Sequence, residues 1–340
     1  MSSPLRFGVI GAGAFAARRH IPDIARHPDA ILSAICRRDP AALEKLREHF
    51  SPERTYTDWK LLLEECPLDA VVIATPHDLH FAPTMAALEK GLHVLLEKPM
   101  TIRSDEARRL RDVAAERGLS LAVALNPPYW AHCHAMRRAI QNGHIGEIES
   151  VSLYWTGNSG VVFGDVPMPD DTPGPIPPTL FRANADACGG GHLMDGGAHL
   201  VSELLWVSGQ RAKQVSCVMD HTPSDRRAAL SINLESGAIA TISSIGNSKS
   251  GRRVRNIFGG SLGTITVDGF DFRTTIERDG GSSESFAEAD LPPVSNPVAN
   301  LIDSVLGNVT LFSNADHGVH VTEVLEAAYE SSVSGKCISI

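Results

Sequence analysis

The sequence predicts an α/β protein of two domains. An N-terminal doubly wound parallel sheet is expected over residues 1–126. A C-terminal α+β domain, built on a large and mostly antiparallel open sheet, is expected over residues 127–340. Three observations carry this. Short apolar runs alternate with helical periodicity through the first 125 residues, as in parallel βαβ units covered on both faces. Beyond Gly146, strand-like runs follow one another through turn-rich joins. At 340 residues the chain exceeds what one ordinary hydrophobic core accommodates.

In order, Arg6–Ile10 reads as a buried strand, Phe15–Arg26 as one helix, Ile31–Cys36 as a strand and Pro40–Phe50 as a helix. Strands are expected again at Ala70–Ala74, His93–Leu96 and Leu121–Leu125, with helices near Pro83–Lys90 and Ser104–Arg117. A helix near Ala131–Asn142 leads into the second domain. Strands there are Ile148–Tyr154, Gln214–Met219, Ala228–Leu234, Ala238–Ser244, Arg253–Phe258 and Thr264–Val267, interrupted by a helix at Gly191–Val207. Two helices, near 297–306 and 318–333, follow, and the proline-rich stretch 157–178 reads as a long loop, a kind often tied to function.

Composition removes several classes of function. Hydrophobic residues make up 43% and charged residues 21%, ordinary for a folded globular chain. A formal net charge of -9 argues against nucleic acid or an anionic membrane as the main partner. No apolar run approaches the ~20 residues of a membrane span, and Met1–Gly8 lacks the basic-then-apolar layout of a signal peptide. Cysteines at 36, 66, 133, 188, 217 and 337 form no CxxC pair, which fits a reducing compartment and a cytoplasmic location. His132 and His134 have no carboxylate at ligand spacing and read as ordinary helix residues, so no metal is expected.

Gly11-Ala12-Gly13-Ala14-Phe15-Ala16 follows the first strand and opens a helix. Gly11 permits a tight turn, Gly13 lets backbone approach a pyrophosphate, and small Ala16 allows close helix–strand packing. That is the dinucleotide fingerprint of a Rossmann domain. At the end of the second strand, Asp39 precedes Pro40 and reads as an N-cap with proline at N1. Arg37 and Arg38 stand where an adenosine 2′-phosphate would sit, so NADP is favoured, with NAD as the alternative.

Thr75-Pro76-His77-Asp78-Leu79-His80 and Glu97-Lys98-Pro99 each follow a parallel strand, at the carboxyl ends where such sheets bind ligands. Much later, Gly189-Gly190-Gly191 runs into His192-Leu193-Met194-Asp195-Gly196-Gly197-Ala198-His199. On a helix, Asp195 and His199 share a face about 6 Å apart. These stretches, with Phe258–Thr264 and the ending Tyr329-Glu330-Ser331-Ser332, resemble in order the Gfo/Idh/MocA oxidoreductase family over nearly the whole chain.

The resemblance implies a hydride-transferring enzyme with the cofactor held by Gly11, Gly13, Ala14, Phe15, Arg37, Arg38, Thr75, Pro76, His77, His80, Glu97, Lys98 and Asn126. It makes Lys98 the group on the reacting oxygen, His199 the proton-exchanging residue and Asp195 the carboxylate beside it. It also places Arg182, with Phe181, at substrate or cofactor, makes Lys98–Pro99 a cis bond, and implies a homodimer or homotetramer. The types suit the chemistry, because imidazole titrates near working pH and a fixed ammonium stabilises a developing alkoxide. Two departures stand out. Pro127-Pro128-Tyr129-Trp130 replaces a stretch in which the family often has arginine, and His77 stands where asparagine is common. The expected substrate is a sugar, polyol or sugar-like ring. A trans-dihydrodiol dehydrogenase, a ketone or imine reductase, a redox-neutral enzyme with bound NAD and a non-catalytic dinucleotide sensor are the alternatives.

Overall fold

Six parallel strands form the first sheet: β1 (Leu5–Ile10), β2 (Ala30–Cys36), β3 (Arg54–Tyr56), β4 (Ala70–Ile73), β5 (His93–Leu96) and β6 (Leu121–Val123). They come from a computed structural model that describes residues 3–169 and 171–340. The strand order is β3-β2-β1-β4-β5-β6, so the chain reverses direction across the sheet between β1 and β4. That reversal is the topological switch point at which doubly wound sheets bind ligands.

The helices of this part are α1 (Ala14–Arg18), α2 (His20–Arg26), α3 (Pro40–Phe50), α4 (Trp59–Glu65), α5 (Phe81–Glu89) and α6 (Ser104–Glu116). Asp39 caps α3, accepting from the N–H groups of Ala41 and Ala42, with Pro40 in the first turn as expected. The single helix expected over Phe15–Arg26 is instead two, because Arg19 leaves helical geometry at φ -124° and ψ -75°. β3 and α4 escaped sequence reading because three and seven residues are too few to show a period.

The second sheet has nine strands: β7 (Ile148–Thr156), β8 (Ala212–Met219), β9 (Arg227–Leu234), β10 (Ile239–Ile245), β11 (Arg253–Gly260), β12 (Gly263–Asp268), β13 (Arg273–Arg278), β14 (Ser283–Phe286) and β15 (Ile338–Ser339). Its order is β14-β13-β12-β11-β7-β10-β9-β8-β15, antiparallel throughout except where β10 runs parallel to β7. Burial alternates strictly along β9, so one face packs inward and the other stays open. α7 (Ala131–Gln141), a four-residue α8 (Ala185–Cys188), α9 (Ala198–Ser208), α10 (Pro297–Val305) and α11 (Ala315–Ser334) complete the chain. No helix among the described residues is long and apolar enough to cross a membrane.

Two compact units result, and neither is one continuous half of the chain. The first takes in the described residues of Met1–Ala124, Val162–Cys188 and Ser295–Val319; the second takes in Leu125–Val161, Gly189–Val294 and His320–Ile340. The first core explains the insertions. Phe7, Val9, Ile21, Ile24, Ile35 and Leu46 pack with Ile176, Val298, Leu301 and Ile302, all buried. Each such side chain contributes about 1.5–3 kcal/mol by leaving water. Most of the proline-rich loop is therefore part of the first unit, anchored by Ile176.

Candidate functional site

The glycine turn after β1 is held by two hydrogen bonds, from the N–H groups of Gly11 and Ala12 to the carbonyl of Cys36. Gly11 has φ +80° and lies so close to the Ala74–Thr75 backbone that a Cβ would come within 2.6 Å of Thr75 N. Only glycine fits there. At Gly13 a Cβ would meet nothing nearer than Gly11 O at 3.6 Å and Arg37 Nη1 at 3.8 Å. Glycine thus leaves open backbone beside a guanidinium, which suits an anionic phosphate group. Ala14 is buried at the start of α1, and Phe15 is exposed.

Arg37 is half-buried and leans over this turn, its Nη1 donating to Ala12 O at 3.1 Å, while Nε is buried without a hydrogen-bond partner among the described residues. Arg38 is exposed. The two arginines thus differ: one braces the loop, the other faces solvent.

At the end of β4, Thr75 Oγ1 donates to Leu79 O, and Pro76 is half-buried. His77 and His80, both expected at a cofactor, are buried and committed to the scaffold. His77 Nδ1 is 2.8 Å from Cys188 O, and its ring meets Phe181 edge-on at 5.0 Å. The two nitrogens of His80 lie 2.8 Å from Pro99 O and 3.0 Å from Thr75 O, so this ring ties the β4 turn to the turn after β5. Burial pushes the His80 pKa down, although both carbonyls favour the charged ring. Arg182 stacks its guanidinium on Phe181 at 4.5 Å and so belongs, with Phe181, to the first unit.

After β5, the Lys98–Pro99 bond is cis, as the resemblance implies. Lys98 is half-buried. Its neighbour Glu97 bonds His20 Nε2 through Oε1 at 2.6 Å and accepts from Lys98 N through Oε2 at 3.2 Å. Burial raises the Glu97 pKa, but His20 and then Lys98 outweigh it and hold the carboxyl below its ordinary value. The break at Arg19 precedes the residue that makes this contact. Nothing in the sequence pointed to His20, because its partner lies 77 residues away.

In the second unit, a π-helical turn over Leu193–Gly197 runs directly into α9. Leu193, Met194, Gly197, Ala198 and Leu200 are buried, whereas His192, Asp195, Gly196 and His199 are half-exposed. Asp195 and His199 are thus both accessible, but the π turn that carries Asp195 departs from the α-helical geometry on which the expected shared face rested. Asn126 presents its backbone N–H 3.5 Å from His199 Nδ1, the outer limit of a hydrogen bond, and Trp130 lies 6.4 Å from the ring.

The triple glycine has a physical explanation. A Cβ on Gly190 would meet the Tyr329 ring at 2.4 Å, and one on Gly191 would meet Asp225 O at 2.2 Å. Asp225, fully buried, accepts from Gly191 N at 3.1 Å and Leu193 N at 2.8 Å, and takes a 2.5 Å hydrogen bond from Tyr329 OH. Tyr329 OH also accepts from Gly191 N and Met194 N. The clamp fixes the turn that carries Asp195. Sequence reading noted Tyr329 only within its motif and missed Asp225.

His132, within α7 as expected, has a partner that spacing could not reveal. Its Nδ1 contacts the Glu288 carboxylate, 156 residues away. His132 Nε2 lies 3.4 Å from Cys133 Sγ, and with Glu203 these groups fall within 4.8 Å of one another. Glu203 accepts from Asn256 Nδ2 at 2.7 Å; burial pushes its pKa up and His132 opposes that. His134 Nε2 is 2.7 Å from Pro128 O.

Comparison with known proteins agrees with this architecture. A sequence profile described as an oxidoreductase family with an NAD-binding Rossmann fold matches residues 5–125, and one described as the GFO/IDH/MocA C-terminal domain matches residues 133–266. The D-glucoside 3-dehydrogenase of Escherichia coli (strain K12) is 28% identical over 208 residues, 61% of this chain and 55% of that protein. The dTDP-3,4-didehydro-2,6-dideoxy-alpha-D-glucose 3-reductase of Streptomyces antibioticus is 35% identical over 157 residues, 46% of this chain and 48% of the reductase. The chain thus spans about half the length of these curated relatives. The WlbA dehydrogenase of Bordetella pertussis, solved with NADH and UDP-GlcNAcA, has the same fold at a TM-score of 0.84 and 23% identity, covering 100% of this chain and 98% of its own. With both of its halves matched in order by the family's profiles, the chain belongs to the Gfo/Idh/MocA oxidoreductase family.

Proposed function

We propose that this protein is an NADP(H)-linked dehydrogenase or reductase interconverting a carbinol and a ketone on a sugar, polyol or sugar-like ring. The observation that carries the proposal is that Asp195 and His199 are both half-exposed among buried neighbours, on and just after a turn clamped by Asp225 and Tyr329. A pure binder has no need of a carboxylate–imidazole pair held in this way. The sugar class draws support from relatives whose names specify a glucoside and deoxysugar nucleotides.

A bound nicotinamide supplies the hydride acceptor in one direction and the donor in the other. The chain's own residues handle the proton and the charge. In oxidation His199 takes the hydroxyl proton as the C–H bond breaks, and in reduction it returns it. Asp195 favours the protonated imidazole that results. Lys98, after β5, stabilises the oxyanion that develops on the reacting oxygen. Glu97, through His20, fixes the backbone from which Lys98 projects. Asn126 positions His199 through its main chain. Arg37 and Arg38 give the adenosine 2′-phosphate two guanidinium groups, which is why NADP is preferred over NAD. We further infer a homo-oligomer, because Tyr154, Val218 and Ile239 expose apolar side chains on the second sheet.

A panel of aldoses, alkyl glucosides, polyols and sugar nucleotides, each with NAD(H) and NADP(H), tests the proposal by the absorbance of the reduced coenzyme. Turnover with at least one ring substrate, abolished in His199→Asn, is the expected result. No turnover across the panel in either direction refutes the sugar assignment, and an active His199→Asn variant refutes the proton role.

A further inference from the structure

We infer that His192 is a specificity-determining residue, which hydrogen-bonds a hydroxyl group of the substrate ring remote from the carbon that is oxidised. The inference rests on the proposed roles of Asp195 and His199, and concerns the residue that opens the turn carrying Asp195.

Four observations within the second unit converge on this residue. First, it is half-exposed, as are Asp195 three residues on and His199 seven residues on, while Leu193, Met194, Gly197 and Ala198 between them are buried. Second, two glycines are given up to the imidazole. A Cβ on Gly196 would come within 2.5 Å of His192 Cε1, and one on Gly246 within 2.4 Å of His192 Cγ. Neither has a left-handed φ, so space for the ring, and not backbone conformation, is what glycine provides. Third, Ser159 Oγ lies 3.4 Å from His192 Nδ1. Ser159 is itself fixed by its N–H bonding Gly246 O at 2.6 Å. Fourth, the main chain of His192 is locked in place. Its N–H donates to Asp225 O at 2.8 Å, and the carboxylate of Asp225 holds the residues on either side.

A half-exposed ring bedded on two glycines and contacted by Ser159 has the qualities of a recognition group. Its chemistry selects the ligand: an imidazole both donates and accepts, so it discriminates a hydroxyl from a hydrogen at that position. His192 takes no part in the redox step, which needs only one proton carrier.

The test uses the full-length enzyme and the best substrate of the panel. His192→Ala should raise KM about tenfold, the equivalent of one neutral hydrogen bond, with kcat within about threefold. His192→Gln, which keeps a donor and an acceptor, should recover part of the loss. Gly246→Ala leaves His192 in the chain but puts a methyl group where its ring lies, and should reproduce the His192→Ala phenotype; unchanged circular dichroism shows that each variant is folded. Deoxy analogues of the substrate then identify the contact. One analogue should lose about tenfold in kcat/KM with the parent enzyme and nothing further with His192→Ala, because the two changes remove the same bond. Losses that add for every analogue overturn the inference, as does a His192→Ala variant with unchanged KM. If His192→Ala behaves as the parent while His199→Asn is inactive, the proposed function stands and this inference falls. If His199→Asn is also fully active, the proposed function fails first.

Discussion

Replacing Tyr329 by phenylalanine removes one oxygen and keeps the ring that lies on Gly190. That oxygen donates to Asp225 Oδ1 at 2.5 Å and accepts from Gly191 N at 2.9 Å and Met194 N at 3.3 Å. Burial pushes the Asp225 carboxyl up, and the Tyr329 hydroxyl is the foremost contact opposing that rise. A hydrogen bond to a charged group is worth roughly 1.5–3 kcal/mol, and Met194 N loses this acceptor as well, so a deficit of roughly 2–4 kcal/mol is expected at neutral pH. The sign with pH follows from linkage. The folded pKa of Asp225 lies above its unfolded value of about 3.9, so between the two the folded state holds a proton that the unfolded state has lost. Stability therefore declines as pH rises through that window. Tyr329→Phe lifts the folded pKa further and deepens the decline, so its deficit is largest near neutrality and shrinks as Asp225 protonates in acid. Urea unfolding followed by tryptophan fluorescence is a suitable assay, since Trp130, Trp155 and Trp206, three of the four tryptophans, belong to the second unit. A deficit that is negligible, or equal at about pH 3, below the unfolded pKa, and at about pH 7.5, would refute the idea that this hydroxyl compensates the Asp225 charge.

Lys98→Met should leave coenzyme binding nearly intact while lowering kcat by about 100-fold or more, because an oxyanion stabiliser acts chiefly in the transition state; near-normal turnover would remove Lys98 from the mechanism. Replacing Arg37 and Arg38 together with alanine should weaken NADP binding by about ten- to a hundredfold for each charged hydrogen bond lost, and NAD binding far less. Calorimetric titration of the parent protein showing tighter NAD would overturn the preference. Burial, helped by Arg211, pushes His320 down to about 4, and its Nε2 accepts from Ala212 N at 2.9 Å. This ring is neutral when folded, so its contribution is whole above about pH 6.5 and is lost as pH falls toward about 4, roughly 2–4 kcal/mol in all. His320→Gln retains an acceptor but cannot titrate, and should flatten that limb of the stability profile.

Much of the fold was legible because its signals are local. Asp39 with Pro40 announced α3 through capping chemistry alone, and apolar runs at β1, β2, β4 and β5 marked strands covered on both faces. β13 and β14 were not read, since Arg273–Arg278 and Ser283–Phe286 carry arginine, threonine, serine and glutamate at their outward positions and show no apolar run. The same limit hid the membership of the proline-rich loop. Its composition says loop, while one buried isoleucine, Ile176, attaches it to the first core.

Site residues divided along the same line. Motifs that work through backbone shape were readable, as Gly11 shows: its positive φ and its approach to Thr75 are needs of the turn itself. Residues that work by holding a motif in place were not, because Asp225 meets Tyr329 across 104 positions and His20 meets Glu97 across 77. The pair Asp195 and His199 lies between these cases. Spacing of four implies a shared face only on an α-helix, where the two side chains stand about 40° apart around the axis. Here a π turn intervenes, so spacing alone no longer fixes the angle. What the fold does fix is which positions are buried, Leu193, Met194, Gly197, Ala198 and Leu200, with the Asp225 clamp at the start of the turn. Packing therefore decides which positions stay accessible, and these include His192 as well as Asp195 and His199.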